Sequence, residues 1–189
     1  MHTRRLAAFL LGAWLSGSFF MIMVATHNMT AADRMASAPP GPAATSVEIL
    51  GETAARTFLR THSSELNRWY FDTWEWVEIG LGAFLLGALI RGPGRHRSAV
   101  LLCAFMLLAA LLTHFAITPQ ATRLGRLVDA IPAEQPSPYR IRLGNYNTAY
   151  AAIECAKWLL GLMLLSSLLR RHASELPAGE ERRKWRRVH

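Results

Sequence analysis

Apolar positions along this chain gather in blocks; they are not spread at the spacing a soluble core would need. Four blocks stand out, at residues 6–26, 69–90, 98–117 and 145–169. Each is close to or longer than the ~20 residues that cross a bilayer as a helix. Polar segments separate them: 27–68 and 118–144 on one side, a tight basic turn at 91–97 on the other, and a charged tail at 170–189. The pattern predicts an all-α protein, a four-transmembrane-helix bundle forming one membrane domain over 1–189. The helices fall at 6–26, 69–90, 98–117 and 145–169, with outer loops at 27–68 and 118–144 and a tail at 170–189.

Local signals refine the blocks. Residues 38–42, Ala-Pro-Pro-Gly-Pro, read as a turn. Thr45 and Glu48 then have the T-x-x-E spacing of a capping box. Leu50, Ala54, Phe58 and Leu59 follow at helical intervals, which predicts an amphipathic helix in the first outer loop, lying on the membrane surface or in water. Trp69, Tyr70, Phe71, Trp74 and Trp76 form an aromatic belt where the second block enters the bilayer. Thr118-Pro119 is expected to stop the third helix, because proline lacks the N–H that continues the ladder. The first block has the basic start of a secretory signal and an Ala36-Ser37-Ala38 site. Its length and the following Pro39 favour an uncleaved signal anchor. A faint echo pairs residues 10–14 with 101–105, and Trp74 and Glu78 with Tyr150 and Glu154, as a duplicated helix pair would.

Charge sets the expected topology. The formal net charge is +8, and of 21 basic residues only Lys157 and Lys184 are lysine, a bias that reads as the genome composition of a GC-rich bacterium. Arg4, Arg5, Arg91, Arg95, Arg97 and the seven basic residues of the tail put twelve on one side. Eight lie on the other, spread over two longer loops that also carry acids. The positive-inside rule then places both termini in the cytoplasm of a bacterial inner membrane. The Arg182–Arg187 stretch with Trp185 fits anionic lipid headgroups, so the expected partners are the bilayer and other membrane subunits, not nucleic acid. Cys103 and Cys155 lie near opposite ends of their helices and do not predict a disulfide.

Candidate chemistry sits inside the blocks. Ionisable residues at membrane depth are costly and face protein, water or a partner. Glu75 and Glu78 with Gly82 make one helical stripe, and Tyr146, Tyr150, Glu154, Lys157 and Gly161 make another. Glu154 and Lys157 can pair at i, i+3. With His114 at the end of the third block, the expected ligand or proton site is Glu75, Glu78, His114, Tyr150, Glu154 and Lys157. These residues would line a polar pocket in the outer half of the bundle formed by the second, third and fourth helices. His27, expected to end the first helix, and His114 are the metal candidates. No cofactor is expected, the alternative being a haem or chlorophyll held by these two imidazoles. Ala83-x-x-x-Gly87 and Ala152-x-x-x-Ala156 are small-residue patterns suited to helix contacts. P-loop, dinucleotide and G-x-S-x-G motifs are missing from the sequence, so an enzyme is not expected.

Thr118-Pro119, the basic loop after it and residues 147–160 carry a resemblance over the last two thirds of the chain. It resembles small four-helix membrane proteins of an uncharacterised bacterial family, distantly similar to eukaryotic transmembrane protein 205. The resemblance implies a four-helix membrane fold and transfers no activity. The leading expectation is therefore a non-catalytic membrane protein, an accessory or structural subunit with a polar pocket. The alternatives are a small transporter or proton/cation-coupled permease using that pocket, and a haem- or pigment-binding redox protein.

Overall fold

The computed structural model describes residues 2–92, 97–131 and 135–174. Arg95 and the Arg182–Arg187 stretch, both used above, lie outside the described residues. The elements are α1 (His2–Ser37), α2 (Gly41–Leu50), α3 (Glu52–Arg91), α4 (Arg97–Leu112), a π-helical turn (Thr113–Ile117), α5 (Thr118–Asp129) and α6 (Pro138–Ser174). There is no strand among the described residues. Four continuous helical stretches of 33, 40, 33 and 32 residues are long and apolar enough to cross a membrane, the architecture of a multi-pass membrane protein. They form a ring in which α1 packs on α3 and α6, and α4 packs on the same two. The start of α1, the end of α3, the start of α4 and the end of α6 share one end of the bundle, called here the base; α2 and α5 lie at the other, the top.

Most of what the polarity pattern left as outer loop is helix. α1 continues to Ser37, α3 begins at Glu52, and α5 and the start of α6 fill much of 118–144. The apolar blocks mark only the stretch of each helix at bilayer depth. Residues 31–37, Ala-Ala-Asp-Arg-Met-Ala-Ser, favour helix by propensity although they are polar, so the backbone has no reason to break. His27 therefore lies within α1 and does not end it. The break comes at 38–42. There α2 starts with Pro42 in its first turn, where a missing N–H costs nothing, and its N-cap position makes no side-chain hydrogen bond. The capping box at Thr45 is thus not formed, because the helix has already begun upstream. Gly51, at φ +79°, divides the expected amphipathic helix into α2 and the start of α3; that backbone region suits glycine.

Pro119 does not stop the third membrane helix either. The π turn absorbs it: the Thr118 N–H bonds to the carbonyl of Thr113, one residue further back than in an α-helix. Pro119 then falls in the first turn of α5, where its N–H is not needed.

The core at the base is apolar, built from Ala7, Leu11, Leu85, Cys103, Met106 and Leu164. Close helix contact relies on glycine. A Cβ on Gly17 would meet Trp74 at 1.9 Å, one on Gly82 would meet Leu107 and Trp14 at 2.9 Å, and one on Gly161 would meet Leu15 at 2.8 Å. The small-residue patterns named above do not serve this purpose: Ala83, Ala152 and Ala156 are exposed on the lipid-facing side. The first part of the sequence echo pairs buried Trp14 with Phe105, which is 57% exposed, whereas the second pairs Glu78 with Glu154, both buried. Both cysteines are free, Cys103 in the core and Cys155 on the surface.

Candidate functional site: two buried polar layers below a cavity

The expected site residues do converge, but in two layers. The deeper layer is an ion triad. Lys157 on α6, 2% exposed, donates to Glu78 Oε2 on α3 at 2.6 Å, and its Nζ lies 2.7 Å from Glu154 Oε1, one turn back on α6. Two further donors reach Glu78 Oε1: Trp14 Nε1 at 3.0 Å and Ser18 Oγ at 2.7 Å, both from α1. The first helix thus closes the site, which a reading based on ionisable residues assigned to the other three. Trp14 and Ser18 carry no charge and look like ordinary members of an apolar run. Their only signal is the i, i+4 spacing of two hydrogen-bond donors.

The two carboxylates of the triad differ. Three donors satisfy Glu78. Glu154 has the lysine at ion-pair distance from Oε1, and its Oε2 is buried without a hydrogen-bond partner. Two carboxylates facing one ammonium also leave one negative charge in excess, in surroundings where uncompensated charge costs several kcal/mol.

The shallower layer joins α3 to the π turn. His114 Nδ1 lies 3.0 Å from Glu75 Oε2, and Thr118 Oγ1 donates to Glu75 Oε1. Asp72 Oδ1 is 3.8 Å from the same imidazole nitrogen. The π turn makes this possible: Thr113 and His114, consecutive in sequence, are both buried. Trp76 and Phe115 set their rings edge-on to the imidazole, with centroids at 4.5 and 4.7 Å. His27 is exposed on α1, outside the Asp72–Glu75–His114 group.

Depth separates the layers. Glu78 and Glu154 each lie nine residues into their apolar blocks, roughly 14 Å at a rise of ~1.5 Å per residue, so the triad sits near the middle of a ~30 Å hydrocarbon core. Glu75 and His114, six and three residues from the top edges of theirs, lie roughly 9 and 5 Å deep on the same rise. On this count both carboxylates of the triad stand near the inner limit of the outer half in which the pocket is expected.

Above both layers is a cavity of about 380 Å³ bounded by α1, α3, α5 and α6. Its walls mix apolar Met29, Phe71 and Leu143 with the amides of Asn67 and Asn147 and the hydroxyls of Ser64 and Thr122. Thr118 and Tyr150 also line it. Thr118 bonds Glu75, and Tyr150, stacked edge-on against Phe71 at 5.6 Å, is one helical turn above Glu154. The cavity thus borders both layers. Arg68 on its wall is committed to Glu65 and Asp129. Asn28 and Asn67 tie α1 to α3 nearby at 2.8 Å.

Compared with known proteins, the chain matches no family model, no curated protein and no solved structure.

Proposed function

We propose that the protein is a small proton- or cation-coupled permease. The solute enters the cavity from the top, and the coupling ion is held by the Glu154–Lys157–Glu78 triad. The observation that carries this reading is Glu154: a buried carboxylate at mid-depth with one oxygen unpartnered and one negative charge beyond what Lys157 offsets. A proton or a small monovalent cation on that oxygen removes the excess charge. Ion sites of secondary transporters lie at this depth, between helices, for the same reason: each side of the membrane must reach them in turn. Tyr150 lines the cavity one helical turn from Glu154, so it is the side chain through which occupancy of the cavity would act on the triad. The apolar base core below, with Leu85, Met106 and Leu164, would hold the path shut on that side.

The test is proton movement in liposomes carrying the purified protein and a trapped pH-sensitive dye. Under an imposed potential the wild type is expected to pass protons, and Glu154→Gln, which removes the charge but keeps the shape, is expected to reduce the flux to that of empty liposomes. An unchanged flux in Glu154→Gln sinks the proposal. We place the protein in a bacterial cytoplasmic membrane with both termini on the cytoplasmic side, on the strength of the twelve basic residues that flank these ends of the apolar blocks in the sequence.

One observation favours a second reading, an accessory subunit of a larger membrane complex. α2 buries none of its residues within the chain and leaves Ile49 and Leu50 80% and 57% exposed, a short apolar edge that a membrane surface or a neighbouring subunit would cover.

A further inference from the structure

The shallower layer contains more than a hydrogen-bonded histidine requires. One carboxylate, Glu75, already occupies His114 Nδ1. A second, Asp72, faces the same nitrogen at 3.8 Å, too far for a hydrogen bond, with its side chain 59% exposed. The three potential donor atoms lie within 4.8 Å of one another. They come from α3 and the π turn.

We propose that Asp72, Glu75 and His114 form a binding site for a divalent transition-metal ion, held by one imidazole nitrogen and two carboxylate oxygens. The geometry is close to what a metal needs. Bonds of ~2.1 Å at tetrahedral or octahedral angles set neighbouring donor atoms ~3.0–3.4 Å apart. The observed separations of 3.0 and 3.8 Å reach that range once the exposed Asp72 side chain moves inward by about half an ångström, on the same bond lengths. Charge argues the same way. Two carboxylates with a neutral imidazole carry two negative charges near the top of the apolar block, and a divalent ion cancels both.

The donor set selects the ion. Mixed imidazole and carboxylate suits zinc, iron(II) or manganese(II), whereas a site for calcium or magnesium would be built of oxygens alone. Three protein ligands leave coordination positions free, the mark of an exchangeable or reactive centre. Thr118 holds Glu75 through its other oxygen, and the rings of Trp76 and Phe115 fix the imidazole plane, so the ligands are oriented by their neighbours. Binding takes the Nδ1 lone pair, which leaves the ring proton on Nε2. The ring stays neutral, so ion binding shifts the tautomer and releases no net proton.

The site is separate from the ion triad and can be tested without transport. Cobalt(II) is the probe, added to purified, metal-free protein in detergent and followed by its visible absorption. The wild type is expected to develop bands of low-symmetry cobalt that saturate at one ion per chain. His114→Ala is expected to lose them, and Asp72→Ala, changed at a surface side chain and therefore folded, to weaken binding about tenfold or more. Glu154→Gln is expected to bind cobalt as the wild type does, so failure of the permease reading and failure of the metal site are told apart. A wild type that shows only aqueous cobalt, or an Asp72→Ala that binds as tightly as wild type, overturns the proposal.

Discussion

The α1–α3 half of the bundle and the α4–α6 half follow the same up-and-down plan but close differently. α1 and α3 are unbroken. Trp74 fills the notch at Gly17, Asn67 bonds both Asn28 and the Ala25 carbonyl, and Arg60 reaches Asp33 with two hydrogen bonds. In the other half α4 gives way to a π turn, α5 follows, and the cavity opens against α6. Asn28, Asn67, Asp33 and Arg60 of the continuous pair are consumed in joining its two helices. The polar groups of the interrupted half include an unpartnered Glu154 oxygen and an imidazole that faces two carboxylates. The difference teaches that what a polar residue becomes depends on what it faces: pairs that link α1 to α3 brace, whereas residues of α3 and α6 that face the interrupted side keep capacity for a ligand.

Substitutions can break this contrast at several strengths. The largest effect is expected at Lys157, where the two halves meet. Lys157→Ala leaves Glu78 and Glu154 facing each other without a counter-charge, a loss of about 3–5 kcal/mol. Thermal unfolding in detergent should show it as protein that no longer stays monodisperse. The next effect tests the tight half alone. Gly17→Ala gains up to about 1 kcal/mol in helix propensity but drives a methyl into Trp74, at about 1–3 kcal/mol. The expected net result is a lower unfolding temperature, and an increase would show that the α1–α3 contact is looser than the 1.9 Å approach implies. The smallest effect is expected at Arg60, whose pair with Asp33 is half exposed. Arg60→Ala should cost less than about 1 kcal/mol, and less still in high salt. A larger loss would mean that the helical extension beyond the apolar block depends on that pair.

The four helices and the charged stripes were legible in the sequence because each rests on a local rule. Hydrophobic length marks a span. The i, i+3, i+7 spacing places Glu75, Glu78 and Gly82 on one face, and Glu154 with Lys157 on another. What was not legible depends on contacts between helices. Nothing near Trp14 or Ser18 announces a carboxylate sixty residues away. Gly17 looks like any glycine in a membrane helix until Trp74 is seen against it. The π turn had a cue in Pro119, which must be accommodated somehow. Whether a helix accommodates a proline by stopping or by widening depends on what the shifted residues can reach, and here His114 and Thr118 both reach Glu75. Polarity also misled at the top, where segments too hydrophilic for lipid were read as loops although their backbone was free to remain helical.

The length of α1 and α3 has a mechanical consequence. Residues 27–37 and 52–68 carry these helices beyond their apolar blocks by roughly 16 and 25 Å at ~1.5 Å per residue. Each extension is the same rigid rod that deeper down holds Trp14 and Ser18, or Glu78. The pair is a mast stepped in the triad. A torque on its exposed end, from a neighbouring protein or a clamped antibody fragment, turns the Glu78 side of the ion pair against Lys157 on α6. Whatever grips the top of this pair is thereby joined, through two continuous helices, to the ion triad deeper in the bundle.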